Sequence, residues 1–484
     1  IQDHSHKIAK VHRATPALIQ EAIKVSQEAR HDWARMPFEH RAAILKKAGD
    51  LNAGKHRARI VATTMLGTGK TAWQGEIDAA VEGTDFLRMN PVYAQEIYDV
   101  QPGLNSNNTW NRLEYRELEG FVMAISPFNF CAIGINLPTA PALMGNTCLW
   151  KPASTSVLSN YASYQILQES GMPPGVISFL PSSGQVAGEA INHPQFAGLH
   201  FTGSTKTFNH LWRQVGDNLD NYTGYPRIVG ETGGKNFHLM HPSADVDHCV
   251  MNTVRGSFEY QGQKCSATSR FYVPKSKWGE VKQKMLAAHS EIKVGNVDDF
   301  SVYVTAVIDG TAFKSHKSYI DDAHASNDCE IIAGGKYDDS VGYFIDPTII
   351  VTTDPNYKSM TEEIFGPILT VFVYDDSKPD YWKDVMKVID TTTPYGLTGS
   401  IFANDRVALE SGSDGLRHSS GMLYLNDKST GAVVGEQPFG GSRKSGTNDK
   451  AGSHLNLLRW CSARTIKETT NYISDFKYPY MNPE

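Results

Sequence analysis

One rhythm constrains this chain more than any single residue. From 121 to 229, short apolar runs alternate with longer segments of helical periodicity. Segments 121–125, 147–150, 176–180, 198–201 and 227–229 have strand length, and 133–144, 160–170, 185–191 and 207–219 carry helical spacing. Strands that alternate with helices join by right-handed crossovers, which gives a parallel sheet with helices on both faces. Ligands of such sheets bind beyond the carboxyl ends of the strands.

A second alternating region follows, with strand-like runs at 271–273, 330–332, 368–373, 399–402 and 422–425 and helices near 279–292, 311–325 and 384–390. Segment 19–99 is mostly helical. Segment 101–111 is polar and turn-rich and 112–119 alternates, which predicts a projecting β-hairpin. A glycine-rich loop at 431–446 leads to a last strand at 458–467. A chain of 484 residues exceeds one compact core, so two or three domains are expected.

Composition removes several function classes. A net charge of -6 leaves no basic footprint for nucleic acid. No apolar run is long enough to span a bilayer. The six cysteines (131, 148, 249, 265, 329 and 461) show neither CxxC nor metal-ligand spacing, so a reduced compartment and no metal are expected. The chain begins at Ile1, so a preceding segment lost through processing, cloning or disorder is expected; a removed transit peptide would fit and would leave no trace in the remaining sequence. Leu66-Gly67-Thr68-Gly69-Lys70-Thr71 resembles a phosphate loop only in part. The full pattern needs glycine where Thr64 stands, so this stretch reads as a loop between helices.

The chemistry centres on Cys265, in Gln261-Gly262-Gln263-Lys264-Cys265-Ser266, and on Glu231, in Gly230-Glu231-Thr232-Gly233-Gly234. A thiolate is a nucleophile, and a thioester needs activated water for release, so a cysteine and a carboxylate supply both halves of a covalent cycle. Taken alone, Cys265 reads as a small buried residue and Glu231 as a surface turn carboxylate.

The order of the motifs is far more specific. Ser126-Pro127-Phe128-Asn129-Phe130 follows the first strand, Trp150-Lys151-Pro152 ends the second, and Phe201-Thr202-Gly203-Ser204-Thr205 ends the fourth. The glutamate turn, the cysteine loop, Glu362-Glu363-Ile364-Phe365-Gly366-Pro367 and Pro438-Phe439-Gly440-Gly441 complete the set. Together they resemble the aldehyde dehydrogenase superfamily over essentially the whole chain. Asn426-Asp427-Lys428-Ser429-Thr430-Gly431 and Ser445-Gly446-Thr447-Asn448-Asp449-Lys450 resemble its mitochondrial subfamily acting on glutamate 5-semialdehyde, the ring-opened form of pyrroline-5-carboxylate.

The resemblance implies an α/β fold with a Rossmann-type NAD-binding domain (1–100 and 120–232), a second α/β catalytic domain (233–452) and small β oligomerisation elements (101–119 and 453–484). It implies NAD as cofactor, a homodimer and a mitochondrial matrix location. Cys265 would attack the aldehyde, the Asn129 amide and the Cys265 N–H would stabilise the oxyanion, and Glu231 would be the general base for hydrolytic water. Lys151 and Glu363 would hold the riboses, Phe365 would line the nicotinamide side, and Ser204 would meet the pyrophosphate at a helix start. Ser126, Ser154, Gly203 and Thr205 complete the expected cofactor set. Taken alone, Asn129 reads as a helix cap, Lys151 as a solvated strand-end lysine and Phe365 as core packing.

For the amino-acid end of the substrate, Gly431, Ala432 and Phe439 resemble the subfamily's anchor. Ser266 is expected to assist the carboxylate, Phe130 to pack on the aliphatic chain, and Glu82 to face the ammonium; alone, Glu82 reads as part of a solvated helix face. Three positions depart from the relatives. Ser154 stands where the wider superfamily often has a ribose-binding glutamate, Phe208 where many members have glycine, and Ala432 where mitochondrial relatives often carry serine. Another semialdehyde such as succinate semialdehyde, or a catalytically silent structural relative, are the competing readings. A thiol hydrolase would want a histidine base, and spacing assigns that role to none of the 17 histidines.

Overall fold

Parallel strand pairing builds both large sheets of the computed structural model, which describes residues 1–483. The chain enters through a helical layer: Pro16–Arg35, Phe38–Ala53, Arg57–Thr68, Ala72–Gly75 and Gly83–Asp99. Thr15 caps the first helix by accepting from the Leu18 N–H, and Pro16 occupies its first turn, where no amide donor is needed. A π-helical turn, Glu76–Glu82, joins the last two helices; such turns often mark functional sites.

Outside both large sheets, β1 (Thr109–Arg116) pairs antiparallel with the C-terminal strand Ser462–Thr469, from Thr109 opposite Thr469 to Arg116 opposite Ser462. The first sheet follows: β2 (Phe121–Ile125), β3 (Thr147–Lys151), β4 (Ile177–Phe179), β5 (Phe196–Thr202) and β6 (Arg227–Glu231), in the order β4-β3-β2-β5-β6 and wholly parallel. Its strands are apolar on both faces because helices cover both. Val122, Ala124, Cys148 and Trp150 pack into one core, and Phe121, Met123 and Leu149 into the other.

The second sheet comprises β7 (Asn236–Met240), β8 (Thr268–Pro274), β9 (Cys329–Ala333), β10 (Thr348–Thr352), β11 (Ile368–Tyr374), β12 (Thr398–Phe402) and β13 (Met422–Leu425). Its order is β13-β12-β7-β8-β11-β10-β9, and only β9 runs antiparallel to its neighbour. The chain closes with a short helix, His454–Leu458, and β14 (Ser462–Thr469). Leu457, Trp460 and Cys461 return to the core that holds Trp150, where the Trp460 ring lies 4.7 Å from His200.

Several expectations need correction. No local hairpin forms at 101–119; the partner of β1 is β14, at the other end of the chain. The last strand begins at Ser462, since residues preceding it form a helix and fill a core. Strands β7 and β10 and the helices Val246–Phe258 and Arg406–Gly415 went unread. The Gly69-Lys70-Thr71 stretch does join two helices, but Lys70 is wholly buried. Among the described residues, no helix is long and apolar enough to cross a membrane, and no His, Cys, Asp and Glu cluster is arranged to hold a metal ion.

Candidate active site

Strand order in the first sheet reverses between β2 and β5, so a crevice opens beyond their carboxyl ends. The turn 126–130 leaves β2 at this crevice, and Gly203-Ser204-Thr205 leaves β5. β6 ends at Glu231 and the chain passes straight into β7, whose neighbour β8 begins three residues after Cys265. The seam between the sheets therefore brings Glu231 beside Cys265, and Asn129 stands on the turn that leaves β2 at the same crevice.

Glu231 is held by its backbone. Its carbonyl accepts from the Gly203 N–H at 3.1 Å, and it bridges to Gly446. The Thr232 N–H donates to the Ser445 carbonyl (3.0 Å) and the Thr447 N–H to that of Gly230 (2.9 Å). The residue keeps some open surface, yet its Oε2 is enclosed with no hydrogen-bond partner. Burial raises its pKa well above the carboxylate range; Lys450 opposes that shift and Asp449 adds to it. The Lys450 ammonium is fixed by the carbonyls of Gly421 (2.7 Å) and Gly440 (3.1 Å).

Cys265 sits at the end of a turn with three left-handed residues, Tyr260 (φ 52°), Gln261 (φ 56°) and Gly262 (φ 63°). The Gln261 amide secures that turn by donating to the Gly69 carbonyl (3.1 Å), Thr305 Oγ1 (2.9 Å) and the Ala306 carbonyl (3.0 Å). Asn236 donates to the carbonyls of Cys265 (2.7 Å) and Ala267 (2.8 Å). Burial and the carboxylates of Glu231 and Glu363 push the thiol pKa up, against the N–H groups of Ser266 and Cys265.

Asn129 is buried, and it is not the helix cap its position suggested. Phe130 is the N-cap of helix Cys131–Leu143 and offers no side-chain acceptor. The carboxylate of Asp78, from the π-helical turn, accepts instead from the N–H groups of Cys131 and Ala132, each at 2.9 Å. Among the described residues the Asn129 amide makes no hydrogen bond, so both of its N–H donors remain available.

Around the crevice, Ser204 caps helix Thr205–Asp217 by accepting from the Thr207 N–H (3.2 Å). The N–H groups of Thr205 and Lys206 have no partner among the described residues, which leaves two donors at a helix start. The Thr205 hydroxyl itself is engaged, donating to the Lys444 carbonyl and accepting from the Gly233 N–H, both at 3.3 Å. The Ser126 hydroxyl accepts from the Trp150 indole at 3.0 Å, so this serine also braces β3. Lys151 is half-buried, with its pKa lowered by burial, and among the described residues its one acceptor is the Pro152 carbonyl at 3.3 Å. Ser154 is exposed. Phe208 lies against Gly230, where a methyl group would come within 2.2 Å of its ring, and it stacks on Phe201 at 5.4 Å.

Glu363 crosses from the second sheet and accepts from the Gly234 N–H at 2.8 Å. Burial lifts its pKa to about 7, with that N–H and Lys235 opposing. A Cβ on Gly233 would sit 2.3 Å from its carboxylate, so glycine is needed there for the approach. Phe365, in a left-handed conformation, packs edge-on to Phe128 with centroids 5.7 Å apart.

The anchor loop reaches the cysteine loop directly. The Ser266 hydroxyl donates to Thr430 Oγ1 at 2.8 Å, so Ser266 holds the loop. Gly431 is left-handed (φ 104°), and neither its N–H nor that of Ala432 donates to any described residue. Phe439 exchanges two backbone bonds with Ala451 (2.9 and 2.8 Å). Phe130 has the Lys70 ammonium 4.1 Å from its ring centroid. Glu82 is half-buried rather than on a solvated face. Its pKa is raised by burial and by Asp78, against Lys70 and Lys264.

Sequence reasoning passed over Lys264, Asn236, Lys450, Lys70 and Asp78. Lys264, adjacent to Cys265, is buried and paired with Glu259 at 3.0 Å. Charged residues like these look like surface residues until their partners are known. The one local signal was the incomplete glycine–lysine motif at 69–70.

Residues 2–466 match the sequence family described as the aldehyde dehydrogenase family. The chain is 57% identical to the mitochondrial Δ1-pyrroline-5-carboxylate dehydrogenase of Dictyostelium discoideum, over 100% of this chain and 87% of that protein. It is 49% identical to the human mitochondrial enzyme of the same name, over 99% and 85%. Among solved structures, the Mycobacterium tuberculosis pyrroline-5-carboxylate dehydrogenase bound with NAD superposes with a TM-score of 0.95 at 47% identity, covering 100% of this chain and 88% of that one.

Proposed function

The chain belongs to the aldehyde dehydrogenase family, and on that premise we propose that it oxidises glutamate 5-semialdehyde to glutamate with NAD, in the second oxidative step of proline breakdown. The relatives above support the activity. The observation that carries the substrate assignment is the pair of free N–H groups at Gly431 and Ala432. They lie on a loop tied through Thr430 to the residue after the nucleophile. A substrate whose aldehyde meets Cys265 then sets its carboxylate on those donors, with Glu82 as the partner of its ammonium.

The residues present fit a dinucleotide. The free N–H groups of Thr205 and Lys206 suit a pyrophosphate, and Lys151 and Glu363 suit ribose hydroxyls. When bound, NAD supplies the hydride acceptor. Glu231, the carboxylate beside Cys265, takes the thiol proton and releases it to solvent, and Sγ forms a bond to the aldehyde carbon. The charge on the former carbonyl oxygen is met by the Asn129 amide and the Cys265 N–H, donors that together are worth ~3 kcal/mol or more. Once the carbon is oxidised it is held as a thioester on Cys265. Glu231 takes a proton from water, whose oxygen attacks the carbonyl carbon. The C–S bond breaks and the thiol is restored as the acid leaves.

On the same reading β1 and β14 join two copies into a homodimer, and the enzyme works in the mitochondrial matrix, as the names of its relatives suggest. The test is NADH formation with pyrroline-5-carboxylate, succinate semialdehyde and simple aliphatic aldehydes, using wild type and Cys265→Ala. Preference for the first substrate, abolished in the variant, is expected. Preference for another aldehyde would refute the anchor-loop assignment and leave the thioester chemistry standing.

A further inference from the structure

The ion pair between Lys70 and Asp78 takes no part in the steps above, yet it touches both turns that carry them. The two charged atoms are 2.7 Å apart, and their side chains are 0% and 1% exposed. Asp78 uses one oxygen for Lys70 and the Cys131 N–H and the other for the Ala132 N–H. It thereby fixes the start of the helix that follows Asn129 and Phe130. The Lys70 ammonium also lies 4.1 Å from the Phe130 ring centroid and 4.7 Å from that of Tyr260. Tyr260 opens the strained turn leading to Cys265, and the next residue, Gln261, bonds to the carbonyl of Gly69.

One lysine and the residue before it thus contact the oxyanion turn on one side and the nucleophile turn on the other. Gly69 permits this. Its φ of 73° is left-handed, and a Cβ there would come within 3.0 Å of the Ala306 carbonyl and Thr305 Oγ1. Buried ion pairs of this kind add little net stability over apolar replacements, so stability alone gives no reason for a charge here. What the pair does provide is direction: two backbone donors, one ammonium and two ring faces meet at fixed positions.

Resting on the roles proposed for Cys265 and Asn129, we propose that Lys70 and Asp78 are positioning residues of the reaction. They lock the turn 129–130 against the turn 260–265 and so set the oxyanion donors relative to the attacking sulfur. The incomplete phosphate-loop motif therefore serves the aldehyde site and binds no phosphate.

The double variant Lys70→Met/Asp78→Asn removes both charges of the pair together and tests this directly. Its expected signature is a fall in kcat of about tenfold or more, as misplaced groups of this sort give. The KM for NAD and the rate of Cys265 alkylation by iodoacetamide should change less than about twofold. Alkylation builds no oxyanion and so reports the thiol alone. Tyr260→Leu removes one ring beside the ammonium and leaves the pair intact. It should lower kcat about threefold with the same split, and it decides the question if the double variant does not fold. A crystal structure of either variant reads the position itself, with turn 129–130 expected to shift from Cys265 by about 1 Å.

A folded variant with kcat within about twofold of wild type, or with an unshifted turn, overturns the proposal. So does a loss spread equally over kcat, KM and alkylation. If the wild type turns over no semialdehyde, the proposed function fails, and the turn position still decides the role of the pair.

Discussion

Asn236 holds the main chain of Cys265. Its side-chain amide donates to the Cys265 carbonyl at 2.7 Å, and its Oδ1 accepts from the Thr398 N–H at 3.0 Å. The first residue of β7 thereby ties the Cys265 loop to β12. Asn236→Leu removes these bonds and strands buried carbonyls, an expected loss of about 1–3 kcal/mol in denaturant unfolding. Asn236→Asp sets an anionic oxygen against those carbonyls and should lower kcat further than Leu does. An Asp variant as active as wild type would refute the assignment.

Glu231 carries a pH prediction with a definite sign. Its pKa is raised by burial above the ordinary 4.5, so the folded state holds a proton that the unfolded state releases. The stability this group contributes is full below about 4.5 and lost as pH rises through the folded value. Glu231→Gln should therefore gain stability over wild type as pH rises, in urea titrations at a series of pH values. In the same variant the hydrolytic step should lose its dependence on a base, and thioester should accumulate on Cys265, visible by mass spectrometry after a single turnover.

Ala432→Ser adds a hydroxyl beside the free N–H groups of Gly431 and Ala432. One more hydrogen bond to the substrate carboxylate is worth ~1 kcal/mol, which lowers the KM for the semialdehyde about fivefold. Steady-state kinetics with the KM for NAD as internal control measure it. An unchanged semialdehyde KM removes the loop from the binding site.

The Gly230–Phe208 contact predicts a non-additive pair. Gly230→Ala drives a methyl group to within 2.2 Å of the Phe208 ring and should cost about 1–3 kcal/mol. Phe208→Leu should recover part of that cost in the double variant, since the two residues share one space. Full additivity in thermal unfolding would mean that the ring simply swings aside.

Cutting the chain after Cys461 removes β14 and leaves Trp460 in its core. β1 then loses the strand it pairs with along its whole length. Monomers are expected on sedimentation, and an intact dimer would remove this ribbon from the assembly.

Much of the fold was legible where local pattern and tertiary role agree. The apolar strands of the first sheet announce themselves because both faces are covered. β7 escaped because it carries Asn236 and His238, polar residues whose partners lie elsewhere in the chain: Cys265, Ala267 and Thr398 for one, Thr253, Thr268 and Ser429 for the other. β1 suggested a hairpin because alternation marks a strand without naming its partner, here at the far end of the chain. In the site, Cys265, Glu231 and Asn129 stood out through the order of their motifs. Lys70, Asp78 and Lys264 did not, because nothing local tells a buried charge from a solvated one.

The position of Trp460 has a consequence for how the protein is made. This ring, 0% exposed, belongs to the same core as Val122 and Trp150, and its carbonyl accepts from Asn146. Synthesis runs from the N-terminus at about 5–20 residues per second, and N-terminal domains ordinarily fold first. Here the first sheet emerges with a hole in its core and waits for the entire second sheet to be translated. Completion of that core is thus coupled to synthesis of residues 457–461, and a chain stopped before residue 460 leaves its apolar side chains uncovered.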